Sequence, residues 1–162
     1  MDYLWSPWRY RYVTKAGGAA ECIFCAKAAA SDDTANLIVH RGERAFVLMN
    51  LYPYTTGHLM VAPYEHIATL AEASPEIVCD VILLTRRAER CLASVLRPHG
   101  YNIGMNLGEC AGAGVAGHIH MHVVPRWAGD SSFMTTVGET RVIPEDLETT
   151  YGRILSAWNG GE

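Results

Sequence analysis

The sequence predicts an α+β domain with a largely antiparallel sheet. Two observations carry that prediction. Short runs of β-formers, bounded by Gly and Pro, lie on both sides of a single long amphipathic helical pattern. The 162 residues suit one domain with a real core, and no internal repeat divides them. Residues 1–20 read as an aromatic and basic arm, residues 21–140 as the domain, and residues 141–162 as a C-terminal helical extension.

The arm carries Trp5, Trp8, Arg9, Tyr10, Arg11 and Tyr12 before it loosens into Lys15-Ala16-Gly17-Gly18. Cys22 to Ala30 reads as a short helix. Leu37-Ile38-Val39 and Ala45 to Met49 read as strands around the turn Arg41-Gly42-Glu43, and His58 to Ala62 reads as a strand stopped by Pro63. Ser74-Pro75-Glu76 opens the long helix: serine caps, proline suits the first helical position, and glutamate suits the positive end of the dipole. Ile77, Val81, Leu84, Ala88, Cys91 and Val95 recur at steps of four and three, a single buried stripe, with Cys79 also assigned to the helix core. Arg86, Arg87 and Arg90 read as a solvated face. Pro98-His99-Gly100 ends the helix. Tyr101 to Leu107 and His118 to Val124 read as two more strands joined by a Gly- and Ala-rich loop, and Pro144 to Trp158 as a terminal helix.

The formal net charge of -4, with 19% charged residues, offers no global attraction to nucleic acid or to a membrane. Neither partner is expected. No apolar run is long enough to span a bilayer, and the start of the chain lacks the pattern of a secretory signal. Five unevenly spread cysteines argue against a secreted disulfide framework and for a cytoplasmic protein.

The chemistry concentrates in His118-Ile119-His120-Met121-His122. Strand side chains alternate faces, so three imidazoles share one side while Ile119, Met121 and Val123 point to the core. Residues i and i+4 of a strand lie roughly 13 Å apart, so His118 and His122 cannot share one metal. The face suits separate roles along an extended substrate. A neutral imidazole can attack phosphorus and divide one displacement into two easier steps. The central His120, with a partner on each side, is the natural nucleophile, and His122 a donor to a phosphate oxygen. Backbone N–H groups of the loop Gly108 to Val115, at Gly112, Ala113 and Gly114, can approach an anion.

Cys22-Ile23-Phe24-Cys25 is a C-x-x-C pair. By itself it is compatible with a redox pair, two buried small residues, or half of a zinc site whose partners come from His40, His58, His66, His99 and His118.

His118 to Val124 resembles the motif that names the histidine triad (HIT) family. Asn50-Leu51-Tyr52-Pro53-Tyr54-Thr55-Thr56-Gly57-His58 resembles that family's upstream strand–turn–strand. Pro125-Arg126-Trp127-Ala128-Gly129-Asp130 resembles the run found in its Fhit-like and diadenosine-tetraphosphate-cleaving branches. The resemblance spans about residues 20 to 135. It implies a HIT-like fold of about five antiparallel strands with one long helix and shorter ones, assembled as a homodimer. It also implies a nucleotide substrate and a nucleotidyl intermediate on His120, with His122, His118 and His58 completing the catalytic set. Asn50 matches the family's ribose-binding asparagine and Asn106 its amide near the phosphates. It selects Cys22, Cys25, His66 and His118 as ligands of a structural zinc.

One departure stands out. Many HIT proteins carry Gly-Gln-Ser/Thr-Val before the triad, whereas this chain has Ala113-Gly114-Val115-Ala116-Gly117. A side-chain donor near the phosphate is missing. That leaves water and phosphate both open as second-step acceptors. A Hint-type purine nucleoside phosphoramidase and a non-catalytic zinc-stabilised nucleotide-binding module remain alternatives.

Overall fold

The computed structural model describes residues 21–131, 135 and 143–160. The aromatic arm lies outside the described residues. Five strands form one antiparallel sheet in the order β1-β2-β3-β5-β4. They are β1 (Ile38–Arg41), β2 (Ala45–Met49), β3 (Leu59–Pro63), β4 (Gly100–Gly104) and β5 (Met121–Arg126). Three helices accompany them: α1 (Ile23–Ala29), α2 (Pro75–Leu96) and α3 (Leu147–Gly160). The expected α+β architecture and strand count hold.

β2 and β3 are buried along their whole length because both faces of the sheet are covered. Period-two alternation sends Val47, Met49, Leu59 and Val61 to one face, against Ile77, Val81, Leu84, Ala88 and Leu92 of α2. Phe46, Leu48, Met60 and Ala62 face the other way and meet Phe24 of α1. Burying each such side chain contributes about 1.5–3 kcal/mol. Ser74 Oγ accepts the Ile77 N–H at 3.3 Å, the expected cap of α2. Arg97 stops the helix in the left-handed region, at φ 48°.

Several boundaries differ from the sequence reading. β5 begins at Met121 and not at His118. Pro63 of β3 has no N–H to extend the ladder, and its carbonyl is taken by the His118 ring, 2.9 Å away. The Ile119 N–H turns to Ile67 O instead, at 2.8 Å. β4 ends at Gly104, before Leu107. Cys79 is exposed. Arg87 is no solvated residue: its guanidinium lies 4.7 Å from the Trp158 ring centroid and donates to Trp158 O.

α3 starts at Leu147 rather than Pro144, since Asp146 is the residue that caps it. Its Oδ1 accepts the Thr149 N–H at 2.8 Å. Tyr151, Ile154 and Trp158 of α3 join the same core cluster as α2 and the sheet. Among the described residues no helix is long and apolar enough to cross a membrane.

Candidate active site

The second face of the sheet carries the site. His122 stands opposite Met60 in the β3–β5 register, so both point to the face that α1 covers. His118 and His120 precede β5 in the turn-like stretch that Pro63 creates. The expected alternation survives there: Ile119 and Val123 enter the core below, while the three imidazoles stay above. The His120 and His122 ring centroids are 4.8 Å apart at 72°.

Each buried imidazole is oriented by an atom that can only accept or only donate. His120 Nδ1 lies 2.9 Å from the His118 carbonyl oxygen. A carbonyl accepts, so Nδ1 carries the proton and Nε2 keeps a lone pair. His118 Nε2 likewise donates to Pro63 O, leaving Nδ1 as its electron-pair donor. His58 Nδ1 accepts the Tyr54 N–H at 3.1 Å, so His58 Nε2–H faces His122 Nδ1 at 2.9 Å. In neutral His122, Nε2 then bears the proton. Burial pushes the His120 pKa below its ordinary value, partly offset by the hydrogen bond to His118 O. Burial likewise lowers His118, with Pro63 O opposing. Neutral rings therefore dominate at pH 7.

Cys22, Cys25, His66 and His118 converge beside this row. Their four ligand atoms all lie within 4.8 Å of one another. Cys22 Sγ is 3.3 Å and Cys25 Sγ 3.6 Å from His118 Nδ1, and Cys25 Sγ is 3.3 Å from His66 Nδ1. The set can hold a metal ion, and its chemistry fits zinc: two sulfurs and two imidazole nitrogens, close together. His118 Nε2–H on Pro63 O is the outer-shell hydrogen bond that a ligating histidine ordinarily makes. Burial first, then the adjacent Cys22, push the Cys25 thiol pKa up. A bound divalent cation would reverse that preference. The other candidate partners are engaged elsewhere. His40 packs on Trp158 with centroids 5.3 Å apart, His99 Nδ1 accepts the Ala128 N–H at 2.9 Å, and His58 serves His122.

The remaining expected residues are placed unevenly. Asn50 is tied to its own loop, with Oδ1 accepting the Tyr52 N–H at 3.0 Å and Nδ2 3.3 Å from His58 Nδ1. Asn106 lines a cavity of about 340 Å³ beside His122, with Tyr54, Asn102, Arg126 and Asp130. The N–H groups of Gly112 and Ala113 close their loop on Glu109 O and Gly108 O, at 2.9 and 3.2 Å. In this conformation they do not serve as anion donors.

Sequence reasoning missed three features. Phe24 packs on two triad rings, which its place inside C-x-x-C could have signalled. The Tyr54 N–H orients His58. Arg126 forms a bidentate ion pair with Asp130, at 2.6 and 2.8 Å, and also donates to Asn102 Oδ1 at 2.5 Å. A larger, shallow groove of about 630 Å³ between α2 and α3 holds no histidine or cysteine and lies apart from this chemistry.

These features define a histidine-triad protein, and residues 32–129 match the family model for the HIT domain. The chain belongs to the HIT family. Over 165 aligned residues it is 38% identical to an AP-4-A phosphorylase of Mycobacterium tuberculosis, across 98% of this chain and 85% of that protein. It is 27% identical to the asymmetrical bis(5'-nucleosyl)-tetraphosphatase of Schizosaccharomyces pombe, across 76% of this chain and 64% of that one. Its fold is similar to a Zn-bound histidine triad family protein from Mycobacterium smegmatis, with a TM-score of 0.69 and 29% identity over 88% of this chain and 96% of that chain.

Proposed function

We infer that this chain is a HIT-family enzyme that cleaves dinucleoside polyphosphates of the diadenosine tetraphosphate kind, through a covalent nucleotidyl intermediate on His120. One observation carries the reading. His120 Nδ1–H is held on His118 O at 2.9 Å, so the opposite nitrogen presents its lone pair. The names of the phosphorylase and tetraphosphatase relatives support the substrate class.

The chemistry balances in two displacements. The His120 Nε2 lone pair attacks the α-phosphorus, and the bond from that phosphorus to its bridging oxygen breaks. The bridging electrons leave with ATP. His122, donating from Nε2, stabilises charge on a non-bridging oxygen, and His58 holds His122 in that tautomer. An acceptor oxygen then attacks phosphorus and returns the electron pair to His120 Nε2. Phosphate as acceptor yields ADP, whereas water yields AMP. The AP-4-A phosphorylase relative supports phosphate. Asn50 binds ribose and Asn106 approaches the phosphates. The cavity beside His122 gives the departing nucleotide room.

In this reading Cys22, Cys25, His66 and His118 hold a structural zinc, which supplies charge neutralisation for two thiolates and a cross-link between distant segments. The protein acts as a homodimer. Exposed Ile82 and Leu83 on α2, at 51% and 50%, and Ile103 at 44% on the edge strand β4 support that assembly.

The test is the product profile from diadenosine tetraphosphate, with and without phosphate. Expected products are ADP plus ATP, formed only with phosphate. AMP plus ATP without phosphate uptake would reassign the acceptor to water. Undiminished turnover by His120→Ala would sink the intermediate.

A further inference from the structure

Cys22 and Cys25 enclose one buried aromatic residue that is no metal ligand. Phe24 is 1% exposed and sits at the start of α1. Its ring centroid lies 5.2 Å from that of His118, at 44°, and 4.7 Å from that of His120, at 35°. Phe24 thus stands in the chain between the two cysteines while its ring packs on a ring of the cluster, His118, and on the nucleophile, His120. Two further links join the same parts. His118 offers its ring to the cluster and its carbonyl to His120 Nδ1–H. Ile119, between the two histidines, donates to Ile67 O, one residue beyond His66. Every segment that supplies a cluster residue therefore touches the segment that carries His120.

A histidine held by one hydrogen bond is still soft about χ2, which is a broad torsion. The bond to His118 O sets which nitrogen is protonated. It does not set the pitch of the ring, and the pitch decides where the Nε2 lone pair points. The Phe24 ring, tilted at 35° with its centroid 4.7 Å away, supplies that constraint. Phe24 in turn cannot shift without moving the cysteines on either side of it.

We propose that Phe24 is a positioning residue which couples the Cys22–Cys25–His66–His118 cluster to the nucleophile, so that a closed cluster holds the His120 ring at its working pitch. The proposal rests on the reading of His120 as nucleophile. Phe24 touches no reacting atom, so its effect falls on kcat far more than on KM.

The test compares Phe24→Leu with Phe46→Leu in the full-length zinc-loaded protein. Phe46 is 0% exposed and belongs to the same core cluster, so the same atoms are removed from the same core. Four quantities are measured: zinc per chain, the thermal midpoint, kcat and KM for diadenosine tetraphosphate, and the ¹⁵N shifts of the His120 ring. Both variants are expected to lose midpoint. Only Phe24→Leu should lower kcat, by about ten- to a hundredfold at nearly constant KM, and shift the His120 ring nitrogens through the changed pitch while Nδ1 stays protonated on His118 O. Combining Phe24→Leu with Cys22→Ser/Cys25→Ser should lower kcat by much less than the product of the separate effects. Equal kcat losses in the two Phe variants, unmoved His120 nitrogens in Phe24→Leu, or fully multiplicative effects would each overturn the coupling. If His120→Ala turns over normally, the nucleophile reading fails instead, and the nitrogen shifts still report whether Phe24 holds the ring.

Discussion

His58 Nε2 lies 2.9 Å from His122 Nδ1, across the β3–β5 seam. The pair is directional, because the Tyr54 N–H already occupies His58 Nδ1. A main-chain amide in the β2–β3 loop therefore determines which nitrogen of neutral His122 carries its proton. His58 is fully buried, so the arrangement is shielded from competing water.

Replacing His58 tests that relay. His58→Ala should lower kcat by on the order of a hundredfold through loss of the His122 tautomer. His58→Gln, whose amide can both accept from Tyr54 and donate to His122, should recover part of the loss. Steady-state kinetics on the three proteins decide, and equal kcat in wild type and His58→Ala would remove the relay from the mechanism.

Metal content and folding should move together. Purified protein should carry about one zinc per chain. Cys22→Ser/Cys25→Ser should carry none and melt at a lower temperature, since His66 and His118 would lose the bond that ties them to α1. Metal analysis beside thermal denaturation checks this. A wild-type protein that is zinc-free after growth in zinc-supplemented medium would sink the assignment.

Gly57 sits just before His58 at φ +77°, and a Cβ there would collide with Leu96 Cδ1 of α2. Gly57→Ala should destabilise the protein by at least about 1–2 kcal/mol from the left-handed backbone alone. The collision adds to that, and the movement it forces should be felt at His58. Urea denaturation measures the first effect, and a wild-type midpoint would show that the turn relaxes freely.

Trp158 of α3, 2% exposed, closes the core against α2 and β1 and packs on both Arg87 and His40. Trp158→Ala should cost about 3–5 kcal/mol. The same denaturation experiment reads it. A loss under about 1 kcal/mol would mean that α3 contributes little to the fold.

Much of this was legible from residue order. The α2 cap at Ser74, the stripe from Ile77 to Cys91, and the existence of strands β1 to β3 all follow from local rules, although β1 runs on through Arg41, read as turn, and β3 includes Pro63, read as its stop. The rules failed where a distant group competed for a backbone atom. His118 reads as strand, yet Pro63 cannot donate and the His118 ring claims its carbonyl, so β5 begins three residues later. Arg87 reads as solvated, yet its partner Trp158 is 71 residues away. Cys79 reads as helix core by its residue type alone; it stands two residues from both Ile77 and Val81, off the buried stripe, and is exposed.

The sequence by itself determined the catalytic vocabulary: a row of alternating histidines, a C-x-x-C pair and an Asn50 to His58 turn, each a pattern of near neighbours. It also pointed to a shared face for the histidines, and that holds although only His122 lies in the β5 strand. Only the tertiary structure decided which histidines join the cysteines, since His66 and His118 come from separate segments 52 positions apart and His40 and His99 do not reach them. It also decided the tautomers of His58, His118, His120 and His122. Proton placement depends on which carbonyl or amide a fold brings within about 3 Å, and that distance is set by packing between segments remote in sequence.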